Sequence, residues 1–342
     1  MAPYLISYIF YFLILGFGVE YRKVRPLFFV GLAPFLLLIL LKGKVGVDTA
    51  MYLQSIDLIK DVGSYTFAFE PLFEFMVLVV GSFFDSNYVV LAVFSLITVF
   101  SLVIGGVRLE RVPYLLGFIV VPYFLFDMTM NGVRYGVAFS LVTLGTSFLC
   151  EGRRKLFVLF AVSAAAIQLT SIVLAAAVWM LLEVRLRTLA LVFIGAIAAY
   201  FLFADYISLK AEANSELSAE SPGSGLAPLV ISISSIIALY SDKYFRREAV
   251  FQLIALALLS VATFLVAQVF YAGLRLQAIV LFLIYLVGAS VVKKSGRKFN
   301  RNTVLILFFV GVVATFFRLR NFYGEAGVGD SPFVPYSTFW AA

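Results

Sequence analysis

Apolar runs of about 12 to 22 residues recur along the chain, separated by short polar or basic stretches. Runs of this kind read as helices in a hydrocarbon environment rather than as alternating strands. They fall at Tyr4–Gly18, Leu27–Leu41, Tyr88–Val107, Val112–Phe126, Gly132–Cys150 and Leu156–Leu169. The second half adds Ser171–Leu182, Thr188–Ala204, Leu226–Tyr240, Ala249–Phe270, Leu274–Val292 and Thr303–Phe317. Several are shorter than the ~20 residues of a straight span. Tight turns such as Gln168–Ser171 are the weakest boundaries. The first run has no basic leader and is followed at once by "YRKVR", so it reads as a span and not as a signal peptide.

Lysine and arginine set the orientation. They cluster at Arg22/Lys23/Arg25, Arg108/Arg111, Arg153/Arg154/Lys155, Arg185/Arg187, Lys243/Arg246/Arg247 and Lys293/Lys294/Arg297/Lys298/Arg301, most of the chain's 26 basic residues. Twelve spans place every cluster on one side, the cytoplasm, with both termini outside. The expectation is one transmembrane domain over residues 1–342, with outer loops 42–87 and 206–225 and an outer tail 318–342.

"EPLFEFMVLVVGSFF" (Glu70–Phe84) tests that count. A thirteenth crossing would put "EGRRK" and "KKSGRK" outside. Its apolar part of about 14 residues gives ~21 Å of helix, short of the ~30 Å hydrocarbon core. It therefore reads as a re-entrant or interfacial helix on the outer side. Glu70 and Glu74, four residues apart, share one face of it.

Composition agrees. Of 342 residues, 63% are hydrophobic and only 13% charged, against about 25% charged in soluble domains. The chain is all-α and polytopic. Histidine is absent and cysteine occurs once, at Cys150. That removes histidine bases, internal disulfides and the usual zinc and haem ligand sets. The net charge of +7 reflects basic cytoplasmic loops rather than nucleic acid. No phosphate-binding glycine loop, nucleotide fingerprint, HExxH or nucleophile elbow occurs. A nucleotide-driven pump is excluded, and no cofactor or metal is indicated.

The remaining cations are out of place. Lys42, Lys44, Lys60, Arg134, Lys210, Arg275, Arg318 and Arg320 fall on the outer side, against the positive-inside bias. Arg134 stands a few residues into an apolar run, where an arginine costs about 2.5–3.5 kcal/mol on insertion scales. Acids at the same level are Asp48, Asp57, Asp61, Glu70, Glu74, Asp85 and Asp127. Arg134 could pair with Asp127 or Glu70 as structure, snorkel to headgroups, or hold a phosphate through its planar fork. Arg318 and Arg320, after the last run, could simply be solvated. The polar stretch Tyr206–Gly225 reads as a solvated loop, with a substrate lid as the lesser alternative.

Several segments together resemble the EpsG-type branch of the Wzy polysaccharide polymerases. "KVGVDTAMYLQSI" followed by "FEPLFEFMVLVVGSFF" resembles the family's first outer loop: Gly-x-Asp, a tyrosine four residues on, then a glutamate opening a short apolar helix. "FDMTMNGVRYGVAFSLVTLG" resembles its Met-Asn-x-x-Arg segment, "FYAGLRLQAIVLF" its later arginine segment and "VPYSTF" its C-terminal Pro-Tyr. The order is kept over most of the chain. Tyr135 stands where glutamine is common, and Gln168 where histidine is frequent. A histidine base at that position is therefore excluded here.

The resemblance implies a bacterial inner-membrane glycosyltransferase working on the outer face. A growing glycan on undecaprenyl diphosphate passes to the non-reducing sugar of another lipid-linked repeat unit. A chain-length regulator and a flippase are the implied membrane partners. Arg134 and Arg275 would hold the diphosphate, with Arg318 or Arg320 as a third contact. Glu70 or Asp48 would be the base or the anchor of the acceptor hydroxyl. Asn131, Tyr52, Gln168 and Glu74 would contact substrate. Rival readings are a flippase for the same lipid-linked units and a glycan ligase of the same superfamily.

Overall fold

A computed structural model describes residues 1–21, 23–66, 68–183, 225–268, 272–324 and 331–340. The expected span Thr188–Ala204, nearly all of the loop 206–225, and Arg185, Arg187 and Lys210 lie outside the described residues. Every regular element described is a helix.

The chain begins with an antiparallel pair, α1 (Ala2–Glu20) and α2 (Val24–Leu41). Two short helices follow, α3 (Thr49–Val62) and α4 (Pro71–Gly81), then the long α5 (Asn87–Leu109). Next is α6 (Val121–Phe126), flanked by π-helical turns Leu116–Val120 and Asp127–Asn131. Then come α7 (Val133–Leu149) and a hairpin of α8 (Arg154–Ala165) and α9 (Ser171–Glu183). The second half holds α10 (Leu226–Tyr240), the short α11 (Lys243–Glu248), α12 (Val250–Ala267), α13 (Ala272–Ser295) and α14 (Arg301–Gly324).

Among the described residues, six helices are long and apolar enough to cross a membrane: α1, α2, α5, α12, α13 and α14. The segments Pro71–Gly81, Leu116–Asn131, Val133–Leu149, Ser171–Glu183 and Leu226–Tyr240 are apolar but shorter. Helix α8 stops at Ala165, four residues before the expected end, because the chain turns through Ala166–Thr170 into α9.

The middle of the bundle is buried on every side. Residues 279–290 of α13 and 115–126 along the π-bulged helix are all inaccessible, as expected of helices apolar all round. Small residues bring their neighbours close. A Cβ on Gly105 of α5 would lie 2.8 Å from the Leu144 backbone nitrogen of α7, the close helix approach that small residues permit in membranes. On α1, Tyr4, Tyr8 and Tyr11 form one buried stripe. Their hydroxyls donate to the carbonyls of Phe333, Pro122 and Gly117 at 3.2, 2.9 and 2.9 Å. Buried phenols require such partners, and these tie α1 to the bulged helix and the tail.

Charges separate to the two ends. At the basic end Arg108 pairs with Glu151 at 2.7 Å and Arg154 with Glu183 at 2.6 Å, while Lys293 and Lys294 reach the same two glutamates at 3.7 and 3.5 Å. The opposite end holds the loop after α2, helices α3 and α4, the start of α7 and the tail 331–340. Helix α4, about 16 Å long by its 11 residues, is tied to that opposite end at both of its termini. The Leu72 N–H donates to the Ala166 carbonyl at 2.9 Å. Past its other terminus, the Phe84 and Asp85 carbonyls accept from Lys60 of α3 at 3.2 and 2.7 Å.

Helix α14 corrects one expectation. The apolar run ends at Phe317, but the helix continues to Gly324, so Arg318 lies within it. Arg318 is only 6% exposed and is not a solvated tail residue. An acid on another helix explains this, as the next subsection describes.

Candidate active site

Two acids begin short helices without capping them. Asp48 precedes α3 and Glu70 precedes α4, and neither side chain bonds the helix it starts. Their carboxylates serve other partners. Glu70 accepts from the Arg134 guanidinium at 2.5 Å and from the Leu169 N–H at 3.0 Å. Of the two acids proposed for Arg134, the partner is Glu70. Arg134 lies over the Phe69 ring, 4.5 Å from its centroid, and 5.7 Å from that of Phe73. It also lies within electrostatic reach of the buried Tyr52 phenol. Its Nε is buried and has no hydrogen-bond partner among the described residues. The fork thus keeps an unused edge.

Asp127 is a second hub, in the π turn before α7. Tyr135 donates its hydroxyl to it, Asn131 its amide at 3.3 Å, and Arg318 lies 3.5 Å away. Arg318 also donates to the Tyr123 carbonyl at 2.9 Å and covers the Tyr123 ring at 4.8 Å. Asn131 bridges the hubs, its carbonyl accepting the Asp48 N–H at 3.2 Å.

Asp48, half-buried, feels the charges of Asp127, Arg134 and Arg275. Burial pushes its carboxyl above the ordinary range and Asp127 raises it further, while Arg275 and Arg134 oppose the rise. Arg275, at the start of α13, thereby enters the same electrostatic cluster. Burial likewise raises the Tyr52 phenol.

The loop carrying Asp48 is wedged in place. The Thr49 hydroxyl is 2.6 Å from the Val45 carbonyl and 2.9 Å from that of Met130. Gly46, at φ 108°, passes so close to the bulged helix that a Cβ would sit 2.1 Å from the Met130 carbonyl oxygen. From the other side, the Gly46 N–H reaches the Pro332 carbonyl at 2.9 Å. The tail's Tyr336 donates to the Leu38 carbonyl of α2 at 2.7 Å, and the Ser337 carbonyl accepts the Gly43 N–H at 2.8 Å, so the tail that carries the Pro-Tyr motif braces this loop.

A match to a family model adds to this geometry. The model of the EpsG family, a Wzy-like polysaccharide polymerase family, matches residues 24–338. The chain belongs to the EpsG family. No curated protein and no solved structure matches it detectably. The EpsG match spans everything just described, from the start of α2 to the tail that braces the Asp48 loop.

Within this EpsG chain the expected residues divide. Arg134, Glu70, Asp48, Tyr52, Asn131, Arg275 and Arg318 gather at one end of the bundle. Gln168 lies next to Leu169, which contacts Glu70, and its amide reaches the Thr170 hydroxyl at 3.3 Å. Glu74 does not share a substrate face with Glu70. It is fully buried, and its carboxylate accepts from the Thr66 N–H and hydroxyl, both at 2.7 Å, and from the Phe69 N–H at 3.0 Å. It organises the loop under Arg134. Arg320 is exposed and forms no ion pair among the described residues.

Two residues here escaped the site expected from sequence. One is Asp127, seen there only as a structural partner for Arg134. The other is Lys42, buried at 3% exposure with its ammonium on the Thr129 carbonyl. Burial lowers it to about 7. Its position directly after an apolar run, against the charge bias, was the available signal.

Proposed function

We propose that this EpsG-family protein polymerises glycan on the outer face of the bacterial cytoplasmic membrane. The donor is a growing chain on undecaprenyl diphosphate. The acceptor is the non-reducing sugar of another lipid-linked repeat unit. A flippase in the same membrane would supply the units and a chain-length regulator would set the product length.

In this reading the anomeric carbon–oxygen bond to the diphosphate breaks. The acceptor hydroxyl oxygen forms the new glycosidic bond, its proton passes to a carboxylate, and the lipid diphosphate leaves with the bonding electrons. Arg134 and Arg275 would balance the charge growing on the leaving group, the kind of preorganised stabilisation that dominates such transfers. Asp48 is the better placed base, since its raised carboxyl matches a proton acceptor more closely and Glu70 is engaged by Arg134. Asn131 and Tyr52 would orient sugar or phosphate. Arg318 holds Asp127 and with it the π turn that presents Asn131.

One observation carries the proposal. Asp48, Glu70 and the stretch carrying Asp127 and Arg134 are three segments that meet at the end opposite the basic loops. If those basic loops are cytoplasmic, as the positive-inside bias favours, the cluster would lie outside. Helix α4 would then be the short re-entrant or interfacial element of that outer side. An apolar groove of about 320 Å³ between α1 and α14, lined by Leu5, Tyr8, Phe12, Phe308 and Val312, supports a lipid-borne donor. Tyr8 in its wall lies within electrostatic reach of Arg318 and Asp127, so a prenyl chain in the groove would lead to the cluster.

Purified protein given one lipid-linked repeat unit tests the reading. A ladder of lengthened products supports it. A single transfer onto a different acceptor would make the protein a ligase, and translocation without any new glycosidic bond would make it a flippase.

A further inference from the structure

The largest concentration of cations lies far from the site just described. At the basic end, a cavity of about 420 Å³ opens between the start of α2, the loop after α5 and the loop after α13. Six cations line it: Arg25, Arg108, Arg111, Lys293, Arg297 and Lys298. None of its lining residues is acidic.

Local chemistry explains how the charge stays unbalanced. Glu110 stands between Arg108 and Arg111 but faces inward, fully buried, accepting the Leu115 and Leu116 N–H groups at 2.7 and 2.9 Å. Among the described residues Glu151 pairs with Arg108 and Lys293. Arg297 lies over the Tyr244 ring at 5.5 Å. Arg25, Arg111 and Lys298 are exposed and form no ion pair among the described residues. Positive-inside bias alone would scatter cations over separate loops. Here three segments distant in sequence bring them to one concavity. Val107, Leu109, Val112 and Val292 give that concavity an apolar wall as well, and Phe299 stacks on Phe245 at 5.7 Å to stiffen its rim.

We propose that this cavity is a phosphate-binding site whose ligand is the headgroup of an anionic phospholipid in the adjoining leaflet. Arginine forks bind phosphate oxygens in bidentate fashion, and basic pockets at helix ends suit lipids with phosphate headgroups. The apolar wall favours a lipid over a free anion, since acyl chains leaving the headgroup would lie along it. A lipid with two phosphates would engage more of the six cations than one with a single phosphate.

Native mass spectrometry of the detergent-purified full chain tests this, with tetraoleoyl cardiolipin, phosphatidylglycerol and phosphatidylcholine as probes and inorganic pyrophosphate as competitor. The expected result is saturable retention in the order cardiolipin, phosphatidylglycerol, phosphatidylcholine, with pyrophosphate displacing little. The combined variant R25Q/R111Q/R297Q/K298Q should lose cardiolipin, and R111Q alone should weaken it about fivefold, the share expected of one surface cation. The single variant keeps the test informative should the combined one fold poorly. R25K/R111K/R297K, which retains the charge, should bind better than the glutamine set. Equal cardiolipin retention by wild type and R111Q would overturn the proposal. So would pyrophosphate occupying the site while cardiolipin does not, since the source would then be a free anion.

Discussion

Arg134 and Glu70, 64 residues apart in the chain, meet at 2.5 Å over the ring of Phe69. The arginine thus carries its own counter-ion in the free protein. Under the proposed function, an entering diphosphate would compete with Glu70 for the fork while the ring face supports the guanidinium. Glu70→Gln removes the competing charge. It should tighten binding of undecaprenyl diphosphate severalfold while lowering polymer formation, as read by equilibrium binding and by product ladders. Weaker binding in this variant would mean that Glu70 positions Arg134 rather than competes for it.

Arg318 makes a different kind of pair. It is buried in α14 against Asp127, with its Nε on the Tyr123 carbonyl. Removing one member of a buried pair strands the other, at about 3–5 kcal/mol. Arg318→Gln should therefore lower the thermal midpoint in detergent, and adding Asp127→Asn should restore part of the loss. Additive losses in the double variant would mean that the pair is not coupled.

Gly46 tests the wedge that holds Asp48. Both Gly46 and Gly63 have positive φ, but only at Gly46 would a Cβ strike backbone, 2.1 Å from the Met130 oxygen. Gly63→Ala should cost about 1–2 kcal/mol from backbone strain alone. Gly46→Ala must also move the loop, and polymer formation should fail even where the protein accumulates. Comparable activity in the two variants would separate the site from this close approach.

These three residues also show what the sequence made legible. Arg134 and Arg275 stood out because an arginine near apolar surroundings, on the side short of cations, is costly and demands a reason, and Asp48 and Glu70 stood out through the motifs that carry the resemblance. The ordered motifs added to that signal. Arg318 was misplaced because a hydropathy run ends at the first charge, whereas a helix continues where a distant acid compensates it. Glu74 was misread because spacing of four residues puts two side chains on one face but says nothing of a preceding loop folding back to occupy one of them. Lys42 and the hub at Asp127 depend on contacts between helices far apart in sequence. Several expected spans correspond to apolar helices shorter than 18 residues, because apolar composition does not mark where a helix stops or turns.

The raised Asp48 carboxyl predicts a pH dependence. A base works only when ionised, so the rising limb of the pH–rate profile should have its midpoint above the ordinary aspartate value of about 3.9. Arg275 opposes the rise, so Arg275→Gln should move the midpoint to higher pH. Rates from purified protein across a buffer series would measure it. A midpoint that stays put or falls in that variant would remove Asp48 as the base or Arg275 from its surroundings.

Arg134→Lys is the most direct measurement. Lysine keeps the charge but not the planar fork or the spread over Phe69. If the cluster binds lipid diphosphate for polymerisation, Arg134→Lys and Arg134→Ala should both accumulate, bind undecaprenyl diphosphate weakly and give no ladder from a purified lipid-linked repeat unit. A lysine variant that builds polymer of near wild-type length would contradict diphosphate binding by this arginine and move the search to Arg275.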